Sequence, residues 1–438
     1  MPAARRKTSD DDLPSKAPKK PTDARLIAPE PVIDSLKAIG DPYKINSFDI
    51  SSFLNGETLA NGALDYECVL KFLYTYNGSS ATYNAYRREL ERLLQWSWRI
   101  EKRSVTSHAR EHIEDFVRFA MAPPPAWIGT KNVARFRILD GEKTPNPDWR
   151  PFVVAVSKTD AKNGIAPDKK HYQPSQASIQ SIFAVLSSFY DYLVEEKHIE
   201  FNPVALIRQR SKFIRSDHNA KIVRRITNLQ WDYVIETAQI MAEADPGVHE
   251  RTLFIMNCLF AMYLRVSELV ADERSNPTMG DFRKDQDGNW WFHVTGKGNK
   301  DRTIVVSNEM LESLRRYRAS MNLPPLPAAG EKTVLLRKTR GNGPISSTRQ
   351  VRRIVQDCFD AAFERMKEQG LEDDANDLRT ATVHWLRHTG ISEDVKTRPR
   401  EHVRDDAGHA TMATTDRYIE SDRRERHMSG KKKPLKDL

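Results

Sequence analysis

Six side chains stand in an order that could cut and hold a phosphodiester: Arg265, Lys297, His384, Arg387, His409 and Tyr418. Such a transfer without a metal ion needs a nucleophile, a proton donor and positive groups around the two non-bridging oxygens of a crowded phosphorane. Two arginines can clamp those oxygens with several directed donors each. Two histidines can donate hydrogen bonds or move protons near neutral pH. A lysine can protonate a departing 5′ oxygen, and a tyrosine can attack and hold the phosphate as a covalent ester. No Asp/Glu cluster has metal-binding spacing, so the cations of such a site are side chains.

Each of these residues also has an ordinary structural reading. Arg265 follows the apolar run Phe254 to Leu264 and needs an anionic partner, which Glu268 could supply as a plain ion pair. His384 and Arg387 are three apart and share one helix face near its start, with Thr382 as a capping candidate. A turn lysine such as Lys297 is usually solvated, and a lone histidine after Gly408 is more often structural than catalytic. Tyr418 lies in the polar stretch "AGHATMATTDRYIE", where Met412, Ala413 and Ile419 give thin apolar cover. It is either a half-exposed helical tyrosine or a nucleophile.

The elements that must position these groups are mostly helices. Three- and four-residue apolar spacing predicts helices over Leu64 to Tyr76, Ser79 to Arg103 and Gln176 to Ile199, with a third helix in "TSHAREHIEDFVRFAM" between the last two. The second carries Arg87, Arg88, Arg92 and Arg99 on its other face. Further helices are expected over "NLQWDYVIETAQIMAEAD", over the run ending at Arg265, over "SSTRQVRRIVQDCFDAAFERMKEQG" and from "TATVHWLRHTG". Two β-rich runs, Trp290 to Thr295 and Arg302 to Val306, flank Gly296-Lys297-Gly298-Asn299-Lys300. They predict a hairpin with a basic tip. The fold class is therefore mainly α with a small β-sheet, α+β.

The organisation reads as a Pro- and Lys-rich disordered arm over 1–45 and a helical domain over 46–206. That domain carries a Pro-, Gly- and Lys-rich insertion at 122–175 without clear periodicity. A linker at 207–226 holds Arg208, Arg210, Lys212, Arg215, Lys221, Arg224 and Arg225 against one acid, Asp217. A second domain spans 227–425, and a basic tail follows at 426–438. The balance of 69 Lys+Arg against 60 Asp+Glu gives +9, which favours a polyanionic partner. The basic linker could strap a phosphate backbone or simply be solvated. No apolar run reaches a bilayer span, and the N-terminus has no signal-peptide core. Three scattered cysteines, Cys68, Cys258 and Cys358, exclude a disulfide framework and a cysteine zinc site, so a reducing cytoplasm is the default.

The segments "YLRVSELV", "TGKGNKDR", "HWLRHTG" and "GHATMATTDRY" resemble the tyrosine recombinase/integrase family, with its phage integrase-like and Xer/Cre-like members. The resemblance covers about 226 to 425 in order and with similar gaps. The N-terminal helices, closed by "FNPV", resemble the family's core-binding domain more weakly. The resemblance implies that Arg265 and Arg387 hold the scissile phosphate. It makes Lys297 the hairpin general acid, with Lys300 the less favoured lysine. It assigns His384 to assist proton transfer from the nucleophile and His409 to bond a non-bridging oxygen. It makes Tyr418 the residue that forms a 3′-phosphotyrosyl link, with Glu268 bracing the site. Two features depart from the family: Ile391 to Asp406 is unusually polar, and Asp406 stands where a leucine is usual.

What the resemblance implies is a site-specific recombinase, in which two domains form a C-shaped clamp on double-stranded DNA with inverted half-sites. Four copies would assemble a synapse and pass through a Holliday junction, with no metal, ATP or other cofactor. An accessory protein or partner recombinase could join, and no membrane is involved. The expected setting is a bacterial, nucleoid-associated cytoplasmic protein of a mobile element. Arg87, Arg88, Arg92, Arg208, Arg210, Lys212, Arg215 and Lys300 are the candidate DNA contacts. A type IB topoisomerase-like nicking-resealing enzyme and a non-catalytic DNA-binding protein on the same fold are the alternatives.

Overall fold

In the computed structural model the described residues are 28–40, 53–54, 59–205, 207, 224–273, 275–295, 301–341, 343–416, 418 and 430–431. Lys297, Lys300, Arg208, Arg210, Lys212, Arg215 and the tail from 432 lie outside them. The chain divides into two compact units, Met1–His218 and Asn219–Leu438.

The first unit is built on four helices: α1 (Gly62–Tyr74), α2 (Ser80–Trp96), α3 (Arg110–Met121) and α4 (Gln176–Glu195). Ser79 and Ser175 cap α2 and α4 by accepting the N–H three residues on, as short hydroxyl side chains do at helix starts. Leu90, Leu93, Leu94, Val69, Phe72 and Phe189 interlock in the core. After Trp96 the chain widens into a π-turn, Ser97–Glu101. Trp98 enters the core there and donates its indole N–H to Asp65 at 2.9 Å.

One expectation for this unit is corrected, and one is filled in. Residues 28–40 are not part of a loose arm, because Val32 and Ile33 are apolar and dock into the core, where their N–H groups share one oxygen of Glu91 at 2.7 and 3.1 Å. The insertion at 122–175 is packed as well. Its strands β1 (Ile128–Gly129) and β4 (Phe152–Val153) pair in parallel, and β2 (Phe136–Leu139) and β3 (Glu142–Pro145) form an antiparallel ribbon. Trp127 and Phe152 bury their rings completely. Four short strands and isolated aromatics leave no periodic signature, so the packing is invisible to a pattern scan.

The second unit surrounds its core with α5 (Asn228–Ala244), α6 (Pro246–Ala261), α7 (Asn308–Ala319), α8 (Thr348–Glu368), α9 (Glu372–Thr380) and α10 (Val383–Asp394). Thr227 and Gln230 close a reciprocal capping box on α5. One face carries an antiparallel sheet of β5 (Phe282–Lys284), β6 (Trp290–Thr295) and β7 (Asp301–Val305). The short helices α11 (Arg400–Ala407) and α12 (Met412–Asp416) follow α10. Helix α6 crosses α10 so closely that a Cβ on Gly390 would overlap the Phe260 carbonyl oxygen. The molecule is thus mainly α with small sheets. Among the described residues no helix is long and apolar enough to cross a membrane.

Candidate functional site

The site is assembled where the end of α6, strand β7, helix α10 and the segment after α11 meet. Arg265 sits just beyond α6 and opens a 3-10 turn. Its Nη1 donates to Glu268 at 2.9 Å, and its main-chain N–H donates to the other carboxylate oxygen at 2.8 Å. Its Nη2 reaches the Gly408 carbonyl at 3.3 Å, and about a third of the side chain faces outward (35% exposed).

The sequence reading missed Arg302. This β7 residue grips Glu268 with a two-pronged pair, Nη1 and Nη2 each 2.8 Å from one oxygen. Glu268 is therefore buried beneath two guanidiniums. Burial alone would raise its pKa, but the bonds and charges of Arg302 and Arg265 outweigh that and hold it below the ordinary carboxylate value. Arg302 also donates through Nε to the Asp406 carbonyl at 3.0 Å. The quoted segment "TGKGNKDR" contained it, but its partner lies 34 residues away and no local spacing reveals that.

Arg387 lies deeper than Arg265 and is 5% exposed. It donates from Nη1 to the Tyr263 carbonyl and from Nη2 to the Ala407 carbonyl at 2.5 Å, and Nη2 stands 3.4 Å from His409 Nε2. Burial and the neighbouring Arg265 lower its pKa to about 10, so it keeps its charge at neutral pH. His409 bonds through Nδ1 to Thr415 Oγ1 at 2.9 Å. Burial and the arginines push its pKa down to about 4, leaving a neutral ring at physiological pH.

Tyr418 is buried, where its polar flanks had suggested a half-exposed residue. Its ring packs in one apolar cluster with Tyr263, Ile391, Val403 and Ala407, none of them its immediate neighbours in the chain, which is why the flanking residues alone looked like thin cover. The ring stacks on His409, centroids 5.6 Å apart and 12° from parallel. Its hydroxyl meets Nδ1 of His388 at 2.8 Å, a histidine the sequence reading passed over. His384, one turn back on α10, is exposed, and its ring centroid is 6.4 Å from that of His388. Thr382 occupies the N-cap position of α10, but its side chain caps no N–H.

Asp406 is buried and is accommodated by a half-buried counter-charge. Its carboxylate accepts from Arg398 Nη2 at 2.5 Å and from the Val305 N–H at 3.3 Å. Arg398 also pairs with Asp394 at 2.9 Å and with the Tyr263 hydroxyl at 3.1 Å, and that hydroxyl donates to Asp394. The polar span Ile391 to Asp406, the departure noted in the sequence, thus builds an acid–arginine–acid knot. The knot underlies both the strand bearing Arg302 and the carbonyls that hold Arg387.

The arginines proposed for DNA in the first unit are largely engaged within it. Arg87 donates to the Asp34 carbonyl at 2.6 Å. Arg92 donates to the Pro151 carbonyl through Nε and Nη2, pairs with Glu89 at 2.8 Å and lies over the Phe152 ring. Arg88 pairs with the buried Glu89 at 2.7 Å but is half exposed.

Residues 233–425 match the phage integrase family. Over 256 residues the chain is 24% identical to the tyrosine recombinase XerC of Chlorobaculum parvum, covering 55% of this chain and 68% of that one. Over 148 residues it is 31% identical to the tyrosine recombinase XerD of Rickettsia conorii, covering 32% of this chain and 42% of that one. The fold aligns with the crystal structure of the XerH site-specific recombinase at a TM-score of 0.52 and 14% identity, over 85% of this chain and 84% of XerH. The family match falls on the unit that holds the arginine–histidine–tyrosine cluster, and over residues 233–425 the chain is a tyrosine recombinase/integrase-family domain.

Proposed function

We propose that this chain cuts and rejoins duplex DNA through a 3′-phosphotyrosyl intermediate and a Holliday junction, in the service of a mobile element. The observation that carries this reading is the chain of contacts from Arg265, which reaches the Gly408 carbonyl beside His409, through Arg387 on His409 to the Tyr418 ring stacked on it, braced by Glu268. Tyr418 Oη attacks the scissile phosphorus, an O–P bond forms, and the bond to the 5′ oxygen breaks. The phenol proton passes to a base in the site, and the departing 5′ oxygen takes a proton from Lys297. Arg265 and the His409 ring bear on the non-bridging oxygens, with Arg387 setting the ring's position and adding its charge. The phosphotyrosyl bond conserves the energy of the cut bond. The reverse step with a 5′-hydroxyl from a second duplex therefore completes exchange without an external energy source.

The partner is double-stranded DNA with inverted half-sites, engaged by four copies in a synapse. Support comes from the solved XerH complex, which holds a palindromic difH substrate. An accessory protein or partner recombinase would set the direction of exchange. The test is covalent trapping on nicked suicide duplexes made from DNA flanking the gene. A denaturant-resistant adduct that vanishes in Tyr418→Phe, with duplex binding kept, is expected. An adduct that persists in that variant would overturn the nucleophile. A trapped enzyme that relaxes supercoils but never assembles a four-copy synapse would point instead to nicking and resealing alone.

A further inference from the structure

We infer that His388 is the group that receives the phenol proton of Tyr418 when the tyrosine attacks, taking the role that the family resemblance gives to His384. This rests on the reading of Tyr418 as nucleophile and adds the identity of its base. The geometry is direct, with Nδ1 of His388 2.8 Å from the hydroxyl oxygen, within the reach a general base needs. The two rings are 5.4 Å apart and tilted by 40°, so the phenol O–H points at the imidazole edge and not its face. On its other side the tyrosine ring is stacked on His409, which holds the hydroxyl toward His388.

His388 is fit to accept a proton because it is neutral at working pH. The titratable and charged groups facing it are His384 and Arg387 on its own helix, with Tyr418 and, across the tyrosine ring, His409. Burial first, then the positive charge that His384 and Arg387 can present, brings its pKa down to about 4. With Nδ1 unprotonated, it accepts the phenol hydrogen bond. As the O–P bond forms, the phenol proton moves to Nδ1 and the imidazolium stays in the site. In the resealing step, Nδ1 returns that proton to the tyrosine oxygen as the O–P bond breaks. One histidine thus serves both directions, and no other reactant is consumed. The sequence signal was present as "HWLRH", in which Arg387 is flanked by a histidine on each side of the motif; only the fold shows which one meets the tyrosine.

The experiment measures the single-turnover rate of adduct formation against pH on the suicide duplex, for the full chain and for His388→Asn, His388→Ala, His384→Ala and Tyr418→Phe. Asparagine keeps a neutral acceptor near Nδ1 but cannot carry the proton. The expected result for His388→Asn is unchanged duplex affinity and a rate about 100-fold lower at neutral pH, climbing with hydroxide as the phenol ionises unaided. His388→Ala should respond to added imidazole, and His384→Ala should keep the shape of the pH dependence that His388 sets, whatever it does to the rate. A His388→Asn rate that is parental, or reduced equally at every pH, overturns the inference, as does transfer of the altered profile to His384→Ala. An adduct in Tyr418→Phe would instead remove the nucleophile on which the inference stands.

Discussion

Glu268 shows at the residue scale how one buried acid organises two cations. A carboxylate beneath the Arg265 and Arg302 guanidiniums is stable only while both remain. Its folded pKa is depressed, so its contribution to stability is present above the ordinary carboxylate value and is lost as pH falls through the folded value. Glu268→Gln should lower unfolding free energy at neutral pH by about 3 kcal/mol and flatten the acid side of the stability profile. Urea titrations at a series of pH values check both, and a variant whose acid profile matches the parent would show that another group carries the effect. Gly408 makes a related demand. Its φ is +63°, and a Cβ there would stand 2.8 Å from Cδ of Arg302. Gly408→Ala should strain the backbone, displace Arg302 from Glu268 and slow adduct formation along with any loss of stability.

At the scale of elements, strand β7 and helix α11 are locked together by Asp406, which ties its carboxylate to Val305 and Arg398 and its carbonyl to Arg302. Replacing Asp406 by leucine, the residue usual in the family, leaves Arg398 with Asp394 but strips its second acid. A double-mutant cycle between Asp406→Leu and Arg398→Met should give a coupling of about 1–3 kcal/mol in unfolding free energy. Additive effects would mean the knot is decorative. Helical spacing, the hairpin strands and the Arg265–Glu268 pair were all legible in the sequence, because each rests on contacts a few residues long. The Arg302–Glu268 grip, the His388–Tyr418 bond and the Asp406–Val305 bond join positions 34, 30 and 101 residues apart. No local period encodes them. The buried tyrosine was misjudged for the same reason, since its cover comes from Tyr263 and α10–α11 and not from its flanks.

At the scale of the whole molecule the +9 charge has to be apportioned between groups that hold the protein together and groups left for a polyanion. Arg87 and Arg92 belong to the first kind, since Arg87 donates to the Asp34 carbonyl and Arg92 to Glu89 and the Pro151 carbonyl inside the first unit. Arg92→Ala should therefore destabilise that unit, through the lost carbonyl bonds and the uncovered Phe152 ring, while leaving the salt dependence of duplex binding nearly unchanged. The linker arginines are candidates for the second kind. If Arg208, Arg210 and Arg215 each neutralise a phosphate, replacing all three by glutamine should flatten the plot of log affinity against log salt. The change would be about 0.9 per contact, or roughly 2.7 in all. Fluorescence anisotropy on a labelled duplex over a range of salt concentrations separates the two classes in one assay. A triple variant with the parental slope would make the linker a solvated connection, and the positive charge that draws DNA would then have to be sought on the units themselves.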